Sequence, residues 1–177
     1  MNTNSLIFFN RNKIKAFPKG VQLILAVWKI VNPGNMGHII RLAHNVGAMK
    51  VLFISENKDF RESKIQKTAG FSFEQMEWEI ITKHKFSEII QTNFNLVVLE
   101  TCDEAKNIFE TDLPAKLIIL AGNESYGLPK EIIERSDLQV FIPMPGECKS
   151  MNVSHALSVA AFEWYRQKST GKNSFIL

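Results

Sequence analysis

With 177 residues, 45% hydrophobic and 22% charged, the chain has the composition of a globular protein with room for a sizeable core, not of a disordered one. Its 21 Lys+Arg against 18 Asp+Glu leave a net charge of +3, compatible with a nucleic-acid partner but too mild to indicate one. Two cysteines and four histidines show no zinc spacing and no disulfide framework, and no apolar run resembles a membrane span or a secretory leader. The expectation is a cytosolic protein without a resident metal.

Residues 1–20 are polar and basic, with Arg11, Lys13, Lys15 and Lys19 around a Pro18-Lys19-Gly20 break, and read as an arm that is irregular or forms a short helix. Gln22–Ile30 is almost continuously apolar, as a strand covered on both faces must be. A Val31–Gly34 turn follows, and Asn35 is placed to cap a helix reaching Val46, with Gly47 beyond its end. Lys50–Ser55 reads as a second strand and Phe60–Ala69 as a charged helix. Glu77–Ile81, Leu96–Glu100 and Leu117–Ala121 read as further strands, with a short helix over Lys85–Gln91 and another from Pro129 to about Arg135.

Val140–Ile142 ends the last strand, Pro143, Pro145 and Gly146 force a loop, and Asn152 stands where a helix cap belongs. Val153, Ala156, Leu157, Ala160, Ala161 and Trp164 then mark one helical face, while Val159, Phe162 and Tyr165 make other faces apolar too. Such a helix asks for cover on more than one side. Strand and helix alternate throughout, so the predicted class is α/β, with a mainly parallel sheet and helices on both faces. Neither a repeat nor a linker divides the chain, so 21–177 is expected to form a single domain behind the arm.

Three polar loops each follow a predicted strand: Asn32–Arg41, Gly122–Gly127 and Pro143–Asn152. Open parallel sheets bind ligands beyond the carboxyl ends of their strands, so the three loops point to one site. Dinucleotide and P-loop motifs do not fit, because Gly122–Gly127 has the wrong glycine spacing and Gly146 and Lys149 are not adjacent. Each polar residue also has a structural reading. Asn35 and Asn152 suit helix caps, Arg41 a surface ion pair, Glu124 a solvated turn, Ser150 a cap, and His155 the core or an interface.

Asn35-Met36-Gly37-His38-Ile39-Ile40-Arg41-Leu42-Ala43, Gly122–Leu128, and Ile142-Pro143-Met144 followed by Ser150-Met151-Asn152-Val153-Ser154 together resemble the three signature motifs of the SpoU/TrmH-type RNA 2′-O-ribose methyltransferases of the SPOUT superfamily. Their order and separation match over about Leu23 to Arg166, with Met151 for a more usual leucine and His155 for a small apolar residue. The resemblance implies a C-terminal trefoil knot from about Leu117 onward, a homodimer, and S-adenosylmethionine as cofactor. It implies methyl transfer to a ribose 2′-hydroxyl of RNA, with no metal and no membrane. The separate N-terminal RNA-binding domain of many rRNA-modifying relatives is not seen, so tRNA is expected before rRNA.

On the family pattern, the backbone around Leu99, Leu120, Ala121, Gly122, Ile142 and Met151 would hold the cofactor. Arg41 would act at the ribose hydroxyl, as base or as stabiliser of the developing alkoxide. The guanidinium's reluctance to deprotonate favours the second role. Asn35, Glu124 and Asn152 would position the groups around it, and Ser150 would meet an RNA phosphate.

Overall fold

The computed structural model describes residues 4–12, 17–123 and 126–169. Near the N-terminus, Asn4 caps a short helix, α1 (Ser5–Arg11), by accepting from the Leu6 and Ile7 amides, and none of the helix is buried. Lys13 and Lys15 of the basic arm lie outside the described residues.

β1 (Gln22–Trp28) is buried from Leu23 onward, which is why its sequence shows no polar alternation. α2 (Pro33–Val46) begins earlier than expected. Asn32, not Asn35, is its cap, accepting from the Gly34 amide at 2.8 Å, and Pro33 supplies the pre-set first turn. Asn35 therefore stands inside the first turn and is buried. Gly47, at φ +73, ends the helix in the left-handed conformation.

Next come β2 (Lys50–Ile54), α3 (Glu62–Ala69), α4 (Ser72–Gln75), β3 (Trp78–Ile81), α5 (Lys83–Ile89) and β4 (Asn95–Leu99). The two-residue β5 (Lys106–Asn107), β6 (Lys116–Ala121), α6 (Lys130–Glu134), β7 (Leu138–Phe141) and α7 (Val153–Ser169) complete the order. α4 and β5 were not anticipated, because four- and two-residue elements are too short to carry a period.

The seven strands form one sheet in the order β3-β2-β1-β6-β4-β7-β5, and every neighbouring pair is parallel. The pleat divides the core in two. Leu23, Leu25 and Val27 face α2, α3 and α7, while Ile24, Ala26 and Trp28 face α5 and α6. The expected α/β class with helices on both faces is what folds.

α7 lies on the first of these cores through Leu157, Ala160, Ala161 and Trp164. Its C-terminal half is tied to the segment before β6. The Trp164 indole donates to the Pro114 carbonyl at 2.9 Å, and Gln167 both donates to the Thr111 carbonyl at 3.0 Å and accepts from the Leu113 amide at 2.9 Å. Buried Glu163 accepts from Arg166 at 2.7 and 2.8 Å and from Gln167 at 2.8 Å. Phe162 stays 47% exposed. His155 is also exposed, so it is no core histidine.

Candidate active site

Because all the strands run in parallel, the carboxyl ends of β1, β6, β4 and β7 stand side by side, and the three polar loops leave from that row. A cavity of about 260 Å³ opens there. Of the six residues expected around a cofactor, Leu99, Ala121, Gly122, Ile142 and Met151 line it. Leu120 does not: its side chain is fully buried in the core on the opposite face, leaving only its backbone to take part.

The Gly122–Gly127 loop folds back on itself. A Cβ on Gly122 would lie 2.5 Å from the Gly127 carbonyl carbon, so only glycine allows the two strands of the loop to touch. Gly127, at φ +61, donates its amide to the Asn123 carbonyl at 2.9 Å and closes the turn. The Asn123 side chain donates to the Lys29 carbonyl at 2.8 Å, across to the end of β1. Glu124 lies outside the described residues.

Glu100, one residue past β4, fixes the exit of this loop. One carboxylate oxygen accepts from the Leu128 amide at 3.0 Å, the other from the Thr101 amide at 3.0 Å. Glu100 lines the cavity and was not picked out from the sequence, although its place just beyond a strand end was the usable signal. Lys149 was missed too. It lines the cavity and donates to the Met144 carbonyl at 2.8 Å, bracing the loop between β7 and α7.

Asn152 caps α7, accepting from the Ser154 amide at 2.9 Å and the Ser154 hydroxyl at 2.7 Å. It also donates to the Asn35 carboxamide oxygen at 3.1 Å. One asparagine therefore caps a helix and joins the first and third loops. Ser150 lines the cavity next to this pair. Arg41 stands apart. It shares the exposed face of α2 with His38 and Asn45, does not line the cavity, and makes no hydrogen bond or ion pair among the described residues. A single chain thus gathers Asn35, Ser150 and Asn152, but not Arg41.

The cavity combines apolar walls with one carboxylate, from Glu100, one ammonium, from Lys149, and two hydroxyls, from Thr101 and Ser150. That mixture suits a ligand with a flat apolar part and a charged part. Among the described residues, no group of three or more His, Cys, Asp or Glu could hold a metal ion, and no helix is long and apolar enough to cross a membrane.

The chain is similar to several known proteins. A tRNA (guanosine(18)-2′-O)-methyltransferase of Aquifex aeolicus is 28% identical over 151 residues, covering 82% of this chain and 70% of that protein. A 23S rRNA (guanosine-2′-O-)-methyltransferase of Pseudomonas syringae pv. tomato is 30% identical over 153 residues, covering 85% of this chain and 61% of the other. The chain thus spans 61–70% of the length of these two relatives. A solved structure described as giving insights into the 2-OH methylation of C/U34 on tRNA superposes with a TM-score of 0.75 at 27% identity, covering 84% of this chain and 97% of that one. The SpoU rRNA Methylase family model matches residues 22–162, from the first strand of the sheet well into the last helix, and the chain belongs to that family.

Proposed function

We propose that this protein transfers a methyl group from S-adenosylmethionine to a ribose 2′-hydroxyl of RNA, with tRNA as the substrate. The observation that carries this reading is the cavity at the ends of β4, β6 and β7, where Leu99, Ala121, Gly122, Ile142 and Met151 meet beside the Asn35–Asn152 bond. The choice of tRNA rests on the structure concerned with tRNA methylation, 97% of whose chain and 84% of this one are covered by the match.

The residues fit the cofactor. The apolar walls suit an adenine, and the Glu100 carboxylate sets a negative charge in the same cavity as a sulfonium. S-adenosylmethionine supplies an electrophilic methyl whose leaving sulfide is neutral, so the leaving side needs no acid. The protein's work is alignment of the hydroxyl, whose proton passes to water as the oxygen–methyl bond forms, and stabilisation of its developing negative charge. Arg41 is assigned the second task, through a guanidinium that stays protonated. Asn35, Asn152 and Glu124 hold the loops in register, and Ser150 receives a phosphate of the RNA.

Arg41 lies on an exposed face away from the cavity of its own chain, and Phe162 leaves α7 apolar on its outer side. Both features support a homodimer in which a second copy meets α2 and α7. The proposal extends to a trefoil knot in the segment from Leu117 to α7, to residues 21–177 acting as one domain behind the N-terminal arm, and to the cytoplasm as the place of action.

The deciding experiment is incubation with methyl-labelled S-adenosylmethionine and bulk tRNA or rRNA, followed by nucleoside analysis. Label in a 2′-O-methylnucleoside of tRNA is expected. Label in rRNA alone would transfer the reading to the ribosome, and label on a base would overturn the ribose assignment. A substrate carrying a 2′-deoxynucleotide at the modified position should bind and yield no product, since that hydroxyl is the acceptor.

A further inference from the structure

A second cleft, larger than the first, opens at the same end of the sheet. It measures about 510 Å³ and lies beyond the carboxyl ends of β1 and β2. One side is apolar, formed by Val31, Pro33 and half-buried Phe60. Lys29, Arg61 and Lys83 bring three cations to it, against the two carboxylates of Glu56 and Asp59. None of these five side chains takes part in an ion pair among the described residues. Glu56 is turned to other use, accepting from the Lys83 amide at 3.0 Å at the start of α5. Lys83 in turn is steadied by the face of Trp28, its ammonium 5.6 Å from the ring centre.

Lys29 has an unusual backbone. It is a non-glycine residue at φ +49, a conformation that persists only where the surroundings fix it. They do so from both sides: its amide donates to the Ile54 carbonyl at 2.7 Å, and its carbonyl accepts from Asn123 at 2.8 Å. Asn123 belongs to the loop that walls the cofactor cavity, and Pro33 opens the helix that carries Asn35. The cleft and the cavity are therefore joined through named bonds. Strand spacing sets their centres about 12 Å apart.

We infer that this cleft is a subsite for a nucleotide flanking the methylated one, with the base or ribose against Phe60, Pro33 and Val31 and its phosphate toward Arg61, Lys83 and Lys29. The inference rests on the proposed RNA methylation. Exposed cations beside an aromatic wall are the means by which proteins hold single-stranded nucleic acid with little regard to sequence. An RNA bound there would extend directly toward the site that contains Asn35 and Ser150.

The test is filter binding of bulk tRNA and RNA-dependent methyl transfer, with S-adenosylmethionine affinity measured by calorimetry as a control. Arg61→Ala/Lys83→Ala should weaken tRNA binding and raise its KM by about tenfold, and should lower the slope of log K against log salt by about 1, as loss of one or two phosphate contacts requires. Cofactor affinity should stay at the wild-type value. Asp59→Lys adds a cation to the cleft and should tighten tRNA binding about threefold, a gain that a damaged fold cannot produce. Unchanged tRNA affinity and salt slope in both variants would overturn the subsite. So would adenosine 5′-monophosphate binding that responds to the substitutions while tRNA binding does not. If the wild type methylates neither tRNA nor rRNA, yet the variants still lose tRNA affinity, the methylation reading fails and the subsite stands.

Discussion

Asn152 donates to the Asn35 carboxamide at 3.1 Å across 117 residues of chain, while its own oxygen accepts from Ser154. Removing it strips both a cap and a tie. Asn152→Ala should cost about 0.5–2 kcal/mol in urea unfolding, the usual range for an N-cap. Asn35→Ala should cost less, and the double variant less than the sum by about 1 kcal/mol if the bond is as direct as its geometry. Strict additivity of the two losses would mean that the pair does not interact in solution.

Arg41 offers the opposite profile. With no partner among the described residues and an exposed side chain, Arg41→Ala should shift stability by no more than about 0.5 kcal/mol. Methyl transfer should nevertheless disappear, with cofactor affinity kept. Arg41→Lys should restore little, because an ammonium cannot present the planar fork. Turnover in the alanine variant close to wild type would return Arg41 to an ordinary surface role.

Gly122→Ala places a Cβ 2.5 Å from the Gly127 carbonyl carbon and 2.8 Å from the Leu128 nitrogen, and backbone atoms cannot swing aside as a side chain could. The loop must open, and the wall of the cavity opens with it. Calorimetry should record S-adenosylmethionine affinity lower by at least about tenfold, some 1.4 kcal/mol. Affinity equal to wild type would show that this loop does not shape the cofactor site.

Glu163 carries a pH signature. The Arg166 guanidinium, followed by the Gln167 amide, holds its carboxyl below the usual glutamate range despite the opposing effect of burial. A folded pKa below the unfolded one gives stability that is present above the unfolded value of about 4.3 and is lost as pH falls through the folded one. Glu163→Gln should therefore cost about 1–2 kcal/mol at pH 7, and the gap to wild type should close in acid. A gap that persists at pH 2–3 would assign the loss to packing instead.

The strands could be read because burial on both faces leaves no polar residue past the first position of β1, β4 or β6 to obscure them. The three loops could be read because each breaks an apolar run with glycine, proline or asparagine. Other features depend on what a distant segment supplies. Asn32 took the cap predicted for Asn35 because Pro33 starts a helix one turn sooner, and the freed Asn35 was buried against Asn152. Glu100 gained its role only when the Leu128 amide came within 3.0 Å. Whether Arg41 faces the cavity depends on packing around α2, which local spacing does not encode. The cleft at β1 and β2 is assembled from three separated stretches, none of which has a motif.

The strand order has a consequence for how the protein is made. β6 lies between β1 and β4 and pairs with both, from Lys116 to Ala121, although both are synthesised before it. Until that segment leaves the ribosome, β1 and β4 each present an apolar edge with unpaired amides and carbonyls, free to join a neighbouring chain. At ~5–20 residues per second, the interval from the end of β1 to the end of β6 lasts some seconds. A chain released before Lys116 would keep those edges for good, so truncated products should collect as aggregates, and shielding of the nascent chain should raise yield more than any change to the finished fold.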